Sequence, residues 1–176
     1  MNGSEYREKF NDKEWEEVQF IIIWMLRTIA RADGRIDKLE IRALNILTKL
    51  AKNFKNELVG ELIVSVAPQL FYLTTQFHLT AEQMQPHMEK FNKLMESKFE
   101  HDFVIDFKKT LIASVIFVAN SSGDVEENLT KINPKESQIL QEFIGCLKMT
   151  DDELQQHPSI EDITVDFRKV LVSKIN

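Results

Sequence analysis

A chain of 176 residues with 43% hydrophobic content can bury roughly 70% of its unfolded surface, so it needs no disulfide or structural metal to hold a core. A net charge of −6, with positives such as Lys108, Lys109 and Lys131 near carboxylates rather than in a basic stripe, argues against nucleic-acid binding. The single cysteine, Cys146, excludes an intramolecular disulfide and a cysteine-rich zinc site, and its apolar setting Phe143-Ile144-Gly145-Cys146-Leu147 marks it as a buried small hydrophobe.

The opening residues Met1 to Lys9 are polar and mixed in charge, without the apolar segment of a signal peptide, so a cytoplasmic protein is expected. The first helix is predicted from about Asp12 to Ala32, with Asn11 as N-cap and Glu14 completing a capping box. Trp15, Val18, Ile22, Met25, Leu26 and Ile29 keep helical spacing, and Phe20, Ile21, Ile23 and Trp24 make the helix apolar nearly all round, as for the middle of a bundle. The run Phe20 to Leu26 is far shorter than the roughly 20 residues that span a bilayer, so no membrane role is expected. A second helix starts at Asp37 and carries Ile41, Leu44, Leu47, Leu50 and Ala51. A third covers about Asn56 to Thr75, with Pro68 as a kink or break. Thr80 and Gln83 form the capping box of a fourth, whose Met84, Met88, Phe91, Leu94 and Met95 share a face. The fifth runs from about Asp102 to Asn120. The sixth opens at Asn133 with Pro134 in the favoured first position and runs through Leu147. Thr150 caps a short seventh, and a last helix covers about Ile160 to Ser173. Runs such as Ile63-Val64-Ser65-Val66 are embedded in longer helical patterns and are not strands. The expectation is one all-α domain over residues 1–176, a bundle of seven to eight helices.

Between the first two helices lies Ala32-Asp33-Gly34-Arg35-Ile36-Asp37-Lys38-Leu39-Glu40. Gly34 suits the positive φ that ends a helix, while Asp37 and Glu40 suit the start of the next, where the helix dipole favours negative charge. Asp33 has no such role, since a helix C-terminus disfavours an anion. A weaker copy runs from Ala119-Asn120 through Gly123-Asp124 to Ile132-Asn133-Pro134-Lys135-Glu136. Setting Ala32 against Ala119 pairs Phe20 with Phe107 and Ile29 with Ile116; setting Ile36 against Ile132 pairs Asp37 with Asn133, Glu40 with Glu136 and Leu44 with Leu140. A duplicated helix–acidic turn–helix unit, about 12–52 and 102–148, is therefore expected.

Two readings of these residues stand side by side. In one they only cap helices. In the other, Asp33, Asp37 and Glu40, joined by Asn120, Asp124 and Glu136, bind a divalent cation, Ca²⁺ or Mg²⁺, through oxygen ligands. Neither turn is an EF-hand, because counting back from Gly34 or Gly123 as the sixth loop residue puts Ile29 or Val118 in the first ligand position.

The pattern Ala-x-Ala-Asp-Gly-x-Ile-Asp-x-x-Glu over Ala30 to Glu40 resembles the TerB-like family, named for a tellurite-resistance protein. The resemblance covers the duplicated hairpins. It implies a small all-helical domain with acidic turns proposed to bind metal, found in bacterial stress-response systems and beside chaperone-like modules. By that match Asp33, Asp37 and Glu40 take the family's acidic positions. The second unit departs from the pattern, with Asn120 and Asn133 where aspartates are expected, Glu136 retained, and Asp124 a substitute from the insertion.

Other constellations point away from catalysis. A di-metal carboxylate site in a bundle needs Glu-x-x-His, but Thr75, Met84, Lys98 and Leu154 stand three residues before His78, His87, His101 and His157. No nucleophile elbow, phosphate loop or dinucleotide fingerprint is present. The Met84-Met88-Met95 stripe reads as core, with a partner groove as its alternative. The acidic groups Glu14-Glu16-Glu17, Glu126-Glu127 and Asp151-Asp152-Glu153 read as solvated faces or helix starts. The function expected is a non-enzymatic TerB-like domain binding a divalent cation at the acidic turn, or a protein-interaction module in which the acidic residues are caps.

Overall fold

The computed structural model describes residues 3–32, 34, 36, 38–72, 79–120, 132–155 and 158–172. Its helices follow the apolar periodicity closely: α1 Gly3–Arg7, α2 Asp12–Ala30, α3 Lys38–Ala51, α4 Glu57–Tyr72, α5 Ala81–Lys98, α6 His101–Ala119, α7 Pro134–Leu147, α8 Asp151–Leu154, α9 Ile160–Ile163 and α10 Phe167–Val172. The fold is all-α. Among the described residues there are ten helices and no strand, only an isolated antiparallel bridge between Phe54 and Thr164.

The all-round apolar character of α2 places it at the centre, where it packs against α3, α4, α5, α6 and α7. Val18, Ile21, Ile22, Trp24, Met25, Leu26 and Ile29 are buried on every side of it. The second central helix is α6, packed on α2, α3, α4, α5, α7 and α9. Ring contacts join the layers: Trp24 meets Phe143 edge-on at 5.0 Å between centroids, and Phe91 lies 5.9 Å from Phe107. Such pairs add roughly 0.5–1.5 kcal/mol to the burial itself. Met84, Met88, Phe91 and Met95 are all buried, so the methionine stripe is core and not a groove. Cys146 is buried as expected.

Capping chemistry is where local sequence and structure agree best. Asn11, Thr80, Asn133 and Thr150 each accept from the backbone N–H three residues on, and Glu14, Gln83, Glu136 and Glu153 return the bond. Three departures have physical causes. The polar N-terminus forms the short α1, held by Tyr6, which stacks on Phe103 at 5.5 Å. Pro68 does not break α4, which continues to Tyr72, although a proline nitrogen cannot donate a hydrogen bond within it. The expected single helix over Ile160 to Ser173 is divided into α9 and α10. Thr164 adopts an extended conformation, and Asp166 takes a positive φ of 52°. Backbone bonds from Lys55 N–H to the Ile163 carbonyl (2.8 Å) and from Val165 N–H to the Asn53 carbonyl (2.7 Å) hold this segment extended against the end of α3. Thr164 and Val165 are weak helix formers, so tertiary pairing prevails over local propensity there.

Candidate functional site at the inter-helix turns

The first turn begins where α2 runs out. Arg31 caps it, donating its backbone N–H to the carbonyls of Arg27 (3.1 Å) and Thr28 (3.3 Å), and Gly34 follows with its N–H on the Arg31 carbonyl at 2.8 Å. Gly34 has φ +107°, a conformation that side chains resist, and a Cβ there would meet nothing within 4 Å. Glycine is required here by backbone conformation and not by crowding. Glu40 lies in the first turn of α3 and is 2% exposed. The predicted ligands Asp33 and Asp37 lie outside the described residues.

In the second turn, Asn120 caps α6 in right-handed helical conformation, its N–H on the Ile116 carbonyl at 2.9 Å. Asp124 lies outside the described residues. Asn133 and Glu136 form a reciprocal capping box: the Asn133 side-chain oxygen accepts from the Glu136 N–H at 2.9 Å, and the Glu136 carboxylate accepts from the Asn133 N–H at 2.8 Å. A cap of this kind contributes about 1 kcal/mol. Glu136 is 2% exposed, the same closure from water as Glu40, and neither residue is without a partner. Of the helices that follow the turns, α3 packs on α2, α4 and α6 and α7 on α2, α5 and α6, so the two share α2 and α6 and differ in α4 and α5. Among the described residues, no three His, Cys, Asp or Glu side chains come together in a way that could hold a metal ion.

Two features escaped the sequence reading. The first is at the end of α2, where Arg27 is 2% exposed although its side chain carries a permanent charge. Burial, and then the neighbouring Arg31 charge, pull its pKa below the ordinary value. The signal was available: a helix apolar all round leaves an arginine near its end no wet face to occupy.

The second is an open groove of about 760 Å³ between the end of α3, the start of α4 and the C-terminal segment, lined by Lys52, Phe54, Glu57, Gly60, Glu61 and Val165. One Glu61 carboxylate oxygen is shut off from water and has no hydrogen-bond partner among the described residues. Burial pushes the Glu61 carboxyl above its ordinary value, and the Arg7 charge offsets part of that. The folded protein therefore holds this proton to higher pH than the unfolded chain does. The associated stability is complete below the ordinary carboxylate range and is lost as pH rises through the folded value. Glu61→Gln is accordingly expected to melt higher than the parent at pH 7.5, with the two curves converging near pH 4. Parallel curves across that range would refute the buried, strained carboxyl.

Of the remaining acidic groups, Glu14, Glu17 and Glu153 have structural partners, and Glu126 and Glu127 lie outside the described residues. Glu14 pairs with Lys98 at 2.9 Å, and Glu17 meets Nδ1 of His87 at 2.5 Å and Lys90 at 3.2 Å, joining α2 to α5. Burial works against the Glu17 charge, but the hydrogen bonds from His87 and Lys90 outweigh it and hold its pKa low. Comparison with family models, with curated proteins and with solved structures finds no match to this chain.

Proposed function

We propose that the chain is a TerB-like, non-enzymatic helical domain that acts through its surfaces on a protein partner, with its acidic inter-helix residues serving as helix caps. The observation that carries this reading is the Asn133–Glu136 capping box, which employs both side chains in backbone hydrogen bonds and accounts for them without a ligand. If units 12–52 and 102–148 are copies of one hairpin, Glu40 stands where Glu136 stands, and the matching burial of the two supports a shared structural role. An association with stress response or tellurite resistance rests on the Ala30 to Glu40 resemblance.

A second reading keeps a divalent cation, Ca²⁺ or Mg²⁺, at the first turn alone. It is favoured by the acidic pattern of Asp33, Asp37 and Glu40, and by the position of Asp33 just beyond a helix C-terminus, where capping gives an anion no benefit. Under this reading Asn120, Asp124 and Glu136 supply no first-turn ligand.

Calorimetric titration of metal-stripped protein with Ca²⁺ and Mg²⁺, beside Asp33→Asn, separates the two. The capping reading expects no saturable heat up to roughly millimolar cation, the weak end of protein calcium sites. Saturable binding that disappears in Asp33→Asn would overturn it in favour of the cation site.

A further inference from the structure

Arg27 and Arg31 are one helical turn apart, which sets their side chains on the same face of α2. Among the described residues, Nε, Nη1 and Nη2 of Arg27 and Nε and Nη1 of Arg31 are closed off from water and have no hydrogen-bond acceptor. The same face carries Phe20 and Trp24 toward the bundle, where they meet His87 and the Leu79 carbonyl. The negative end of the α2 dipole eases positive charge at this point but does not replace a hydrogen-bonding partner. A guanidinium cannot discharge itself by losing a proton, and a buried charge without a partner is among the costliest arrangements in a protein. Two like charges on adjacent turns add to that cost.

We propose that Arg27 and Arg31 form a binding site for a phosphoryl dianion. A carboxylate would neutralise one of the two charges, whereas a phosphate group carries close to two and offers several acceptor oxygens to the paired guanidinium forks. The Arg27 guanidinium is closed off, but Arg31 is half-buried and its Nη2 is not among the closed-off nitrogens, so an anion reaches the pair from the Arg31 side. That restricts the occupant to a small phosphate or the end group of a phosphomonoester. The site is separate from the acidic turns, and neither reading of those turns bears on it.

The test is calorimetry and thermal melting in phosphate-free buffer, titrating inorganic phosphate into the parent, Arg27→Met, Arg27→Lys and Arg31→Met. The parent is expected to bind saturably and to melt higher with phosphate. Each methionine variant should bind at least about tenfold more weakly, the loss of one charge-assisted contact. Arg27→Lys, which keeps the charge and loses the fork, should also weaken binding. Without phosphate, Arg27→Met should melt at or above the parent temperature, because an uncompensated charge has been replaced by an apolar chain of similar reach. Equal phosphate binding by parent and variants would overturn the proposal, as would no saturable binding below about 10 mM, a weaker range than recognition sites occupy. Should Arg27→Met fail to fold, the chain itself supplies the acceptors, and unchanged phosphate binding by Arg31→Met would confirm that defeat.

Discussion

Trp24→Ala is expected to destabilise the fold by about 3–5 kcal/mol, the range for removing a large aromatic from a closed core. The side chain is 1% exposed and joins three parts of the bundle. Its ring meets Phe143 of α7 edge-on, and its Nε1 donates to the Leu79 carbonyl at 2.9 Å, just before the Thr80 cap of α5. Alanine leaves both a void and an unpaired carbonyl. Trp24→Phe separates the two losses, because it keeps most of the ring and removes only the donor, at about 1–3 kcal/mol. Denaturant midpoints of the two variants and the parent give the comparison. A cost below about 1 kcal/mol for alanine would mean that α7 collapses into the space, contrary to a rigid centre.

Gly60→Ala is the second large effect, and it comes from close backbone approach. A Cβ at Gly60 would lie 2.3 Å from the Ala51 carbonyl oxygen. That oxygen belongs to the last residue of α3 and already accepts from the Phe54 N–H at 3.2 Å, so it cannot swing aside without undoing the turn into α4. The turn is further held by Asn56, whose side chain accepts from the Val59 N–H at 3.2 Å and donates to Asp106 at 2.7 Å. Overpacking of this kind costs about 1–3 kcal/mol, set against the gain of up to about 1 kcal/mol that alanine brings to a helix interior. A net loss of about 1–2 kcal/mol is expected, or roughly 2–8 °C in melting temperature for a chain of this length. A variant that melts at or above the parent would show that α3 and α4 can separate freely.

These outcomes bear on what was legible in the amino-acid order. The caps at Asn11, Thr80, Asn133 and Thr150 were, because a capping box is complete within four residues and asks nothing of the remainder of the chain. The centrality of α2 was legible too, since only the middle of a bundle can bury Ile21, Ile22, Ile23 and Trp24 together. The break at Thr164 was not: its cause is a pairing with Phe54, and no local signal announces a partner so distant in sequence. The need for glycine at position 60 is equally non-local, as it depends on where α3 ends in space. Of the candidate cation ligands, Glu40, Asn120 and Glu136 are placed, and the role found for Glu136 is the one its spacing from Asn133 dictates. Asp33, Asp37 and Asp124 lie outside the described residues. The burial of Arg27 was foreseeable from the character of α2, whereas its lack of an acceptor among the described residues required the surrounding helices to be in place.

The bridge between Phe54 and Thr164 also orders events in time. The α3–α4 hairpin is built from neighbouring stretches of chain and can close early, but the Lys55 N–H and Asn53 carbonyl must wait for residues near the far end of the sequence. Closing so long a loop costs more entropy than closing the hairpin, so this staple is expected to follow the hairpin in folding. A chain cut short before Ile163 therefore leaves the Lys55 N–H and the Asn53 carbonyl without these partners.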